Sequence, residues 1–255
     1  MRTDMSVSER TRRAVFAAED AGLVFVVATG RPPRWIAPVV EALGDRGLVV
    51  CANGASVYDP AAHELVETVE LDPGTVEELI DDLSTVLPKV VYGVEQQFDY
   101  AIDEAVHRLN IDPQAVWPGV RVGPIRSFLD RPVTKLIART PPPARSGLAA
   151  EVQEVLGDRA TVTHSTDESF LEISHPDVHK AAAVERLLEG RGIGSTEVVS
   201  FGDMPNDIEL LRWSGLGVAV ANAAPRVRAA ADEVTASNDD DGVAQVIERI
   251  LDGHT

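Results

Sequence analysis

The sequence predicts an α/β protein, a Rossmann-like parallel sheet interrupted by an inserted α+β domain, and three observations carry that expectation. Two continuous apolar runs, residues 23–30 (LVFVVATG) and 48–55 (LVVCANGA), each follow a helical stretch and end in small or polar turn residues, the texture of parallel strands buried on both faces. After Ala55 the texture changes to hairpin-like and proline-rich segments. Helix and strand alternation returns at Lys180 and runs onward from there. The core therefore comprises residues 1–57 and 177–255, and the insert residues 58–176.

In chain order, residues 8–21 form a helix with Val15, Ala18 and Ala21 on one apolar stripe and Gly22 as its stop. The strand over 23–30, a helix near 35–43 and the strand over 48–55 complete two helix–strand units. Residues 56–71 resemble an antiparallel hairpin and 75–87 a helix; 132–139 alternate as a half-buried strand, TPPPARSG is a connection, and 161–165 and 170–174 are two strands around a turn. The second core part contains a helix over 180–191, a strand ending at Asp203, a helix beginning at Asp207, a strand over 216–220, a helix over 223–231 and a last strand over 233–236. Trp117 is assigned to the core of the insert, and the aspartates of NDDDG (residues 238–242) to a solvated turn, with a place on the rim of a site as the competing reading.

Composition narrows the function classes. Forty-one acidic against 23 basic residues give a formal charge of −18, which repels a phosphate backbone and argues against nonspecific nucleic-acid binding, although a divalent cation at a carboxylate cluster still admits small phosphorylated ligands. No apolar run reaches the length of a membrane span, and the polar first residues do not read as a secretory signal. The single cysteine, Cys51, excludes an intramolecular disulfide, suits the cytoplasm and falls in an apolar run as a buried core residue. His63, His107, His164 and His179 lack the spacing of a zinc set.

Open parallel sheets place ligands beyond the carboxyl ends of their strands, which singles out ATGRP, CANGA and GDMPND. In GDMPND, Asp203, Asn206 and Asp207 offer hard oxygen donors of the kind Mg²⁺ prefers, or else a turn former and a helix cap. In ATGRP, Thr29 and the amides around Gly30 can donate to an anion that Arg31 orients, or the segment is a tight turn with a surface arginine. Lys180 opens a helix, where a cation is unfavourable unless it meets a negative charge such as phosphate.

The ordered set ATGRP, CANGA, SHPDVHK, GDMPND, GVAVANA and NDDDGVA resembles the haloacid dehalogenase-like hydrolases, specifically the Cof-type phosphatases with a large inserted cap (subfamily IIB-like), with VTKLIA and FLEIS matching the cap. The resemblance implies Mg²⁺-dependent hydrolysis of small phosphorylated metabolites. It makes Thr29 and Lys180 the catalytic groups that meet the phosphoryl oxygens. Gly30, Arg31, Asn53, Gly54 and Asn206 become phosphate or substrate contacts, and Asp203 and Asp207 the metal carboxylates. The insert becomes the cap that selects the leaving group.

One departure from the family's pattern has consequences. Family members open with an apolar strand ending in a DxDGT-like loop whose first aspartate is the nucleophile and whose second is the general acid and base. No such segment is present, and Asp4 stands alone. The expectation is that a central strand is missing between those ending at Thr29 and Asp203, leaving a gap of roughly 9.6 Å. The start of the complete protein then lies upstream, and these 255 residues turn over slowly or not at all. The alternative is a noncatalytic protein that binds a phosphorylated ligand without consuming it.

Overall fold

A computed structural model describes residues 1–143, 145–164 and 168–253. The first regular elements are α1 (Glu9–Asp20), β1 (Val26–Ala28), α2 (Ala37–Leu43), β2 (Leu48–Cys51), β3 (Ser56–Asp59) and β4 (Glu64–Thr68). There follow α3 (Pro73–Val86), β5 (Val91–Gln96), β6 (Asp99–Asp103), α4 (Pro113–Val116), β7 (Arg121–Gly123), β8 (Lys135–Arg139), α5 (Leu148–Leu156), β9 (Thr161–His164) and β10 (Phe170–Ser174). The last are α6 (Lys180–Glu189), β11 (Val199–Gly202), α7 (Ile208–Trp213), β12 (Leu216–Val220), α8 (Pro225–Arg228), β13 (Glu233–Thr235) and α9 (Gly242–Leu251). This is the α/β Rossmann-like core with an inserted α+β domain that the sequence predicts.

The chain divides into two compact units, residues 1–29, 35–66 and 179–255, and residues 30–34 and 67–178. The β3–β4 hairpin groups with the first unit because β3 pairs antiparallel with β2, Val50 opposite Val57.

The first unit holds two sheets, β1-β2-β3-β4 and β11-β12-β13. Parallel pairing joins β1 to β2, β11 to β12 and β12 to β13. Helix α6 spans the two sheets: Ala181, Ala183, Val184, Leu187 and Leu188 pack with Val26, Ala28 and Val50 from one and Val198 and Leu210 from around the other. On another face Val15, Val39 and Leu43 enclose Phe25, Val27 and Ile247.

Several expectations need correction here. The strand predicted over 23–30 is only three residues long and half-buried, with Leu23 and Val24 exposed at 49% and 45%, because β1 is an edge strand paired on one side. β11 is the matching edge of the other sheet, and its Val199 is exposed. In α1 the buried stripe is Ala14, Val15 and Ala18; Ala21 is the exposed C-cap, and Gly22 follows at φ +88°. The helices over 180–191 and 223–231 are shorter, ending at Glu189 and covering only Pro225–Arg228.

The second unit is built on one six-stranded sheet, β7-β6-β5-β8-β10-β9. β8 is not half-buried as expected: Lys135 through Ala138 are all buried, because strands flank it on both sides and side chains cover both faces. Leu79 and Leu83 of α3 and Val152 and Leu156 of α5 pack on one face. Tyr100, Val106, Trp117 and Ile137 pack on the other, with the Trp117 and Tyr100 rings edge-to-face at 5.4 Å. Trp117 is thus a core residue, as is Cys51, which is fully buried. Ser165, the last residue of the strand expected over 161–165, lies outside the described residues.

Candidate active site

Three strand ends of the first unit converge through hydrogen bonds. Beyond β1, the Thr29 carbonyl accepts from the Asn53 amide at 3.0 Å, and the Thr29 amide donates to Val50 at 2.8 Å. Asn53 lies beyond β2 in the left-handed region at φ 61°, where asparagine is among the better-tolerated residues, and is 5% exposed. Its Oδ1 accepts from Asn206 Nδ2 at 2.9 Å, joining the end of β2 to the loop after β11. Asn206 Oδ1 is buried and has no hydrogen-bond partner among the described residues. Gly54, at φ +110°, cannot be replaced: a Cβ there would stand 2.6 Å from the His179 carbonyl, the residue that caps α6.

Lys180 is the first residue of α6 and is buried, and its Nζ lies 2.6 Å from Asp207 Oδ1. The anion expected opposite this lysine is therefore supplied in part by the protein itself. Asp207 Oδ2 accepts from the Asp203 and Met204 amides at 3.0 and 2.9 Å, which folds the GDMPND loop over its own carboxylate. Gly202 permits that turn, since a Cβ there would lie 2.6 Å from Asp207 Cβ.

Asp203 is the more open carboxylate of this cluster: the residue is exposed, whereas Asp207 is buried. Its pKa is raised, first by desolvation and second by the Asp207 charge, while Lys180 and the α-amino group of Met1 pull it back. The run 238–241 holds residues 1–3: Asn238 Nδ2 donates to the Met1 carbonyl at 3.1 Å, Asp239 accepts from the Thr3 amide and hydroxyl, and Asp241 pairs with Arg2 at 3.1 Å. Asp4 is exposed and turns its carboxylate to the Ser6 amide and hydroxyl.

Mg²⁺ is commonly held by one or two carboxylates, with waters and phosphate oxygens completing its shell. Asp203 fits that role. Asp207 is committed to Lys180 and two amides, and among the described residues no group of three or more His, Cys, Asp or Glu side chains is placed to hold a metal.

Gly30 and Arg31 belong to the second unit. There the Gly30 carbonyl accepts from Lys135 Nζ at 3.2 Å, and Lys135 also contacts Glu172 Oε1 at 2.6 Å and Glu95 Oε2 at 3.9 Å. Arg34 donates to Glu95 Oε1 at 2.8 Å. Motif reading places Lys135 and Glu172 only as part of the cap's resemblance. The available signal was a lysine and a glutamate inside otherwise apolar strands, VTKLIA and FLEIS.

Similarities to known proteins agree with this architecture. Residues 1–247 match the family described as haloacid dehalogenase-like hydrolase. The 5-amino-6-(5-phospho-D-ribitylamino)uracil phosphatase YitU of Bacillus subtilis is 27% identical over 259 residues, covering 97% of this chain and 92% of its own. The phosphoglycolate phosphatase of Archaeoglobus fulgidus is 28% identical over 253 residues, with 96% and 92% covered. A crystal structure of a haloacid dehalogenase-like hydrolase from Bacteroides thetaiotaomicron superposes with a TM-score of 0.78 at 25% identity, covering 98% of this chain and 95% of that one. With its discontinuous α/β core, its insert and this match over nearly its whole length, the chain belongs to the haloacid dehalogenase-like hydrolase family.

Proposed function

We propose that this protein is a Mg²⁺-dependent phosphomonoester hydrolase of small phosphorylated metabolites, and that the chain holds the phosphate- and metal-binding groups of that reaction but is impaired by the lack of an attacking carboxylate. The observation that carries the proposal is the convergence of Thr29, Asn53, Lys180, Asp203, Asn206 and Asp207 at the carboxyl ends of β1, β2 and β11. The relatives that are phosphatases of a ribitylaminouracil phosphate and of phosphoglycolate support the class of substrate and leave its identity open.

In this reading Lys180 sits at the positive end of α6 and meets phosphoryl oxygens while Asp207 holds its ammonium in place. Thr29 donates to the same group, and the backbone around Gly30 and Gly54 allows an anion close approach. Arg31 orients the substrate, and Asn206 braces the loop through Asn53. Asp203 would hold Mg²⁺, which when bound draws charge from the phosphoryl oxygens. The insert selects the leaving group. The nucleophile is unassigned: Asp207 is occupied on both oxygens, Asp203 is given to the metal, and Asp4 is bound to Ser6.

The test is phosphate release from a panel of small phosphomonoesters with Mg²⁺, run beside Asp203→Asn, together with titration of inorganic phosphate. Phosphate binding with release no faster than the Asp203→Asn control is expected. Release above the control would overturn the claim that the attacking carboxylate is absent. Failure to bind phosphate would sink the functional reading itself.

A further inference from the structure

A row of three side chains crosses the sheet of the second unit. Tyr100 on β6 stands opposite Glu95 on β5, and Glu95 stands opposite Lys135 on β8, so the three share one face. Glu172 on β10 closes on Lys135. Onto this row comes the segment Gly30–Arg34, anchored at both ends. Its first carbonyl is held by Lys135, and its last guanidinium pairs with Glu95 and stacks 4.9 Å over the Tyr100 ring. Between the anchors Pro32 and Pro33 are buried, fixing two φ angles and removing two donors. The cluster is charge-balanced: Arg34 and Lys135 against Glu95 and Glu172, with Lys135 fully buried.

Burying four charges is expensive and by itself weak evidence of a gain in stability. What this cluster achieves is orientation. The Gly30–Arg31 peptide is trans, so its N–H points opposite to its C=O; a lysine that holds the carbonyl also sets the direction of the Arg31 amide. The two prolines then leave the backbone from Arg31 to Arg34 little freedom to turn independently.

We propose that Lys135 is a positioning residue: it holds the Gly30 carbonyl while Glu95 anchors Arg34 at the far end of the segment, so that the Gly30–Arg31 peptide is set for an anion, and Glu172 serves only as the counter-charge of the buried lysine. This deepens the proposed function and rests on the reading of Thr29, Gly30 and Arg31 as phosphate contacts. None of the three insert residues is assigned a contact with substrate.

The test compares the full chain with Glu172→Gln and with the double variant Lys135→Met/Glu172→Gln, using inorganic phosphate as the probe and the Gly30 carbonyl and Arg31 amide resonances as the local readout. The double variant removes one charge of each sign, so the Arg34–Glu95 pair survives and no lone charge is left buried. Glu172→Gln keeps Lys135 on Gly30 but strands a positive charge, and is expected to be the less stable of the two. The double variant is expected to bind phosphate about tenfold more weakly, with the Gly30 and Arg31 resonances displaced. Glu172→Gln is expected to keep the parent affinity despite its lower stability, an order that a merely structural role would reverse. Equal phosphate affinity in the double variant and the parent would overturn the inference. If the parent binds no phosphate, the functional reading fails separately; an unchanged Gly30 carbonyl in the double variant would then overturn the positioning role, and a displaced one would sustain it.

Discussion

The two units solve the same problem of covering a sheet in opposite ways. In the insert, six strands form one sheet whose central strand β8 is buried along four of its five residues, with apolar clusters on both faces. In the first unit the strands divide into sheets of four and three, and the edge strand β1 is nowhere fully buried. Both units contain apolar β segments, so hydrophobic content does not distinguish them. The difference lies in whether a strand has neighbours on both sides, and it decides where a deletion is costly and where charge can be hidden.

The largest expected effect tests the hidden charge. Lys135→Met leaves Glu95 and Glu172 facing one arginine in a buried setting, and loss of a buried partner of this kind costs about 3–5 kcal/mol. Denaturant unfolding followed by amide exchange in β5 and β8 should show the loss within the insert. A cost under about 1 kcal/mol would mean that water reaches the cluster and that the insert's core is less closed than its burial states.

The second effect compares apolar deletions. Leu136→Ala, on β8 and fully buried, should cost about 2–5 kcal/mol, whereas Leu23→Ala, beside β1 and half exposed, should stay within about 0.5 kcal/mol. Equal costs would erase the contrast between the units. A large cost at Leu23 would show that the edge of β1 is covered in solution.

The insert's polar row was hardly legible in the sequence, and the reason is physical. In a strand with period-2 alternation a lysine reads as a residue pointing to water, and nothing local reveals that Lys135 faces a glutamate 37 positions away. β5 went unrecognised for the same reason: Glu95 and Gln96 are buried polar residues that break an apolar pattern. α9 was hidden behind Asp241, its N-cap in the left-handed region, which as one of three aspartates in a row reads as a solvated turn. The first unit was more legible because its functional candidates follow apolar runs directly. Thr29, Asn53 and Asp203 each follow a parallel strand, so identifying the strand locates the residue. Burial was misjudged at residues 23–30, since a continuous apolar run reports what a strand could bury and not which neighbours it has.

A third effect sharpens the comparison within the charged pairs. Lys180 resembles Lys135 in burial, but its partner Asp207 keeps two backbone amides when the lysine is removed. Lys180→Met should therefore cost about 1.5–3 kcal/mol, the scale of a hydrogen bond to a charged group, and less than Lys135→Met. The reverse order, measured by the same unfolding experiment, would mean that the GDMPND loop depends on the ion pair and not on its own amides.

The smallest effect concerns alkaline pH and separates the units without mutation. In the insert, burial pushes the Tyr92 hydroxyl up to about 12, with Ser84 and Arg126 pulling it back. Tyr100 is raised as well, first by burial and second by the Glu95 charge. A raised pKa means that the folded insert holds its phenol protons after the unfolded chain begins to lose them near pH 10. The stability from Tyr92 is thus fully present below about pH 10 and is lost as pH rises toward 12, by about 1.4 kcal/mol at pH 11. Tyrosinate absorbance of the folded protein should lag that of the denatured chain, with amide exchange in β5 rising over the same interval. Normal titration of every tyrosine in the folded state would show that water reaches the phenols of Tyr92 and Tyr100. The closed sheet of the insert would then be no better sealed than the open-edged sheets of the first unit.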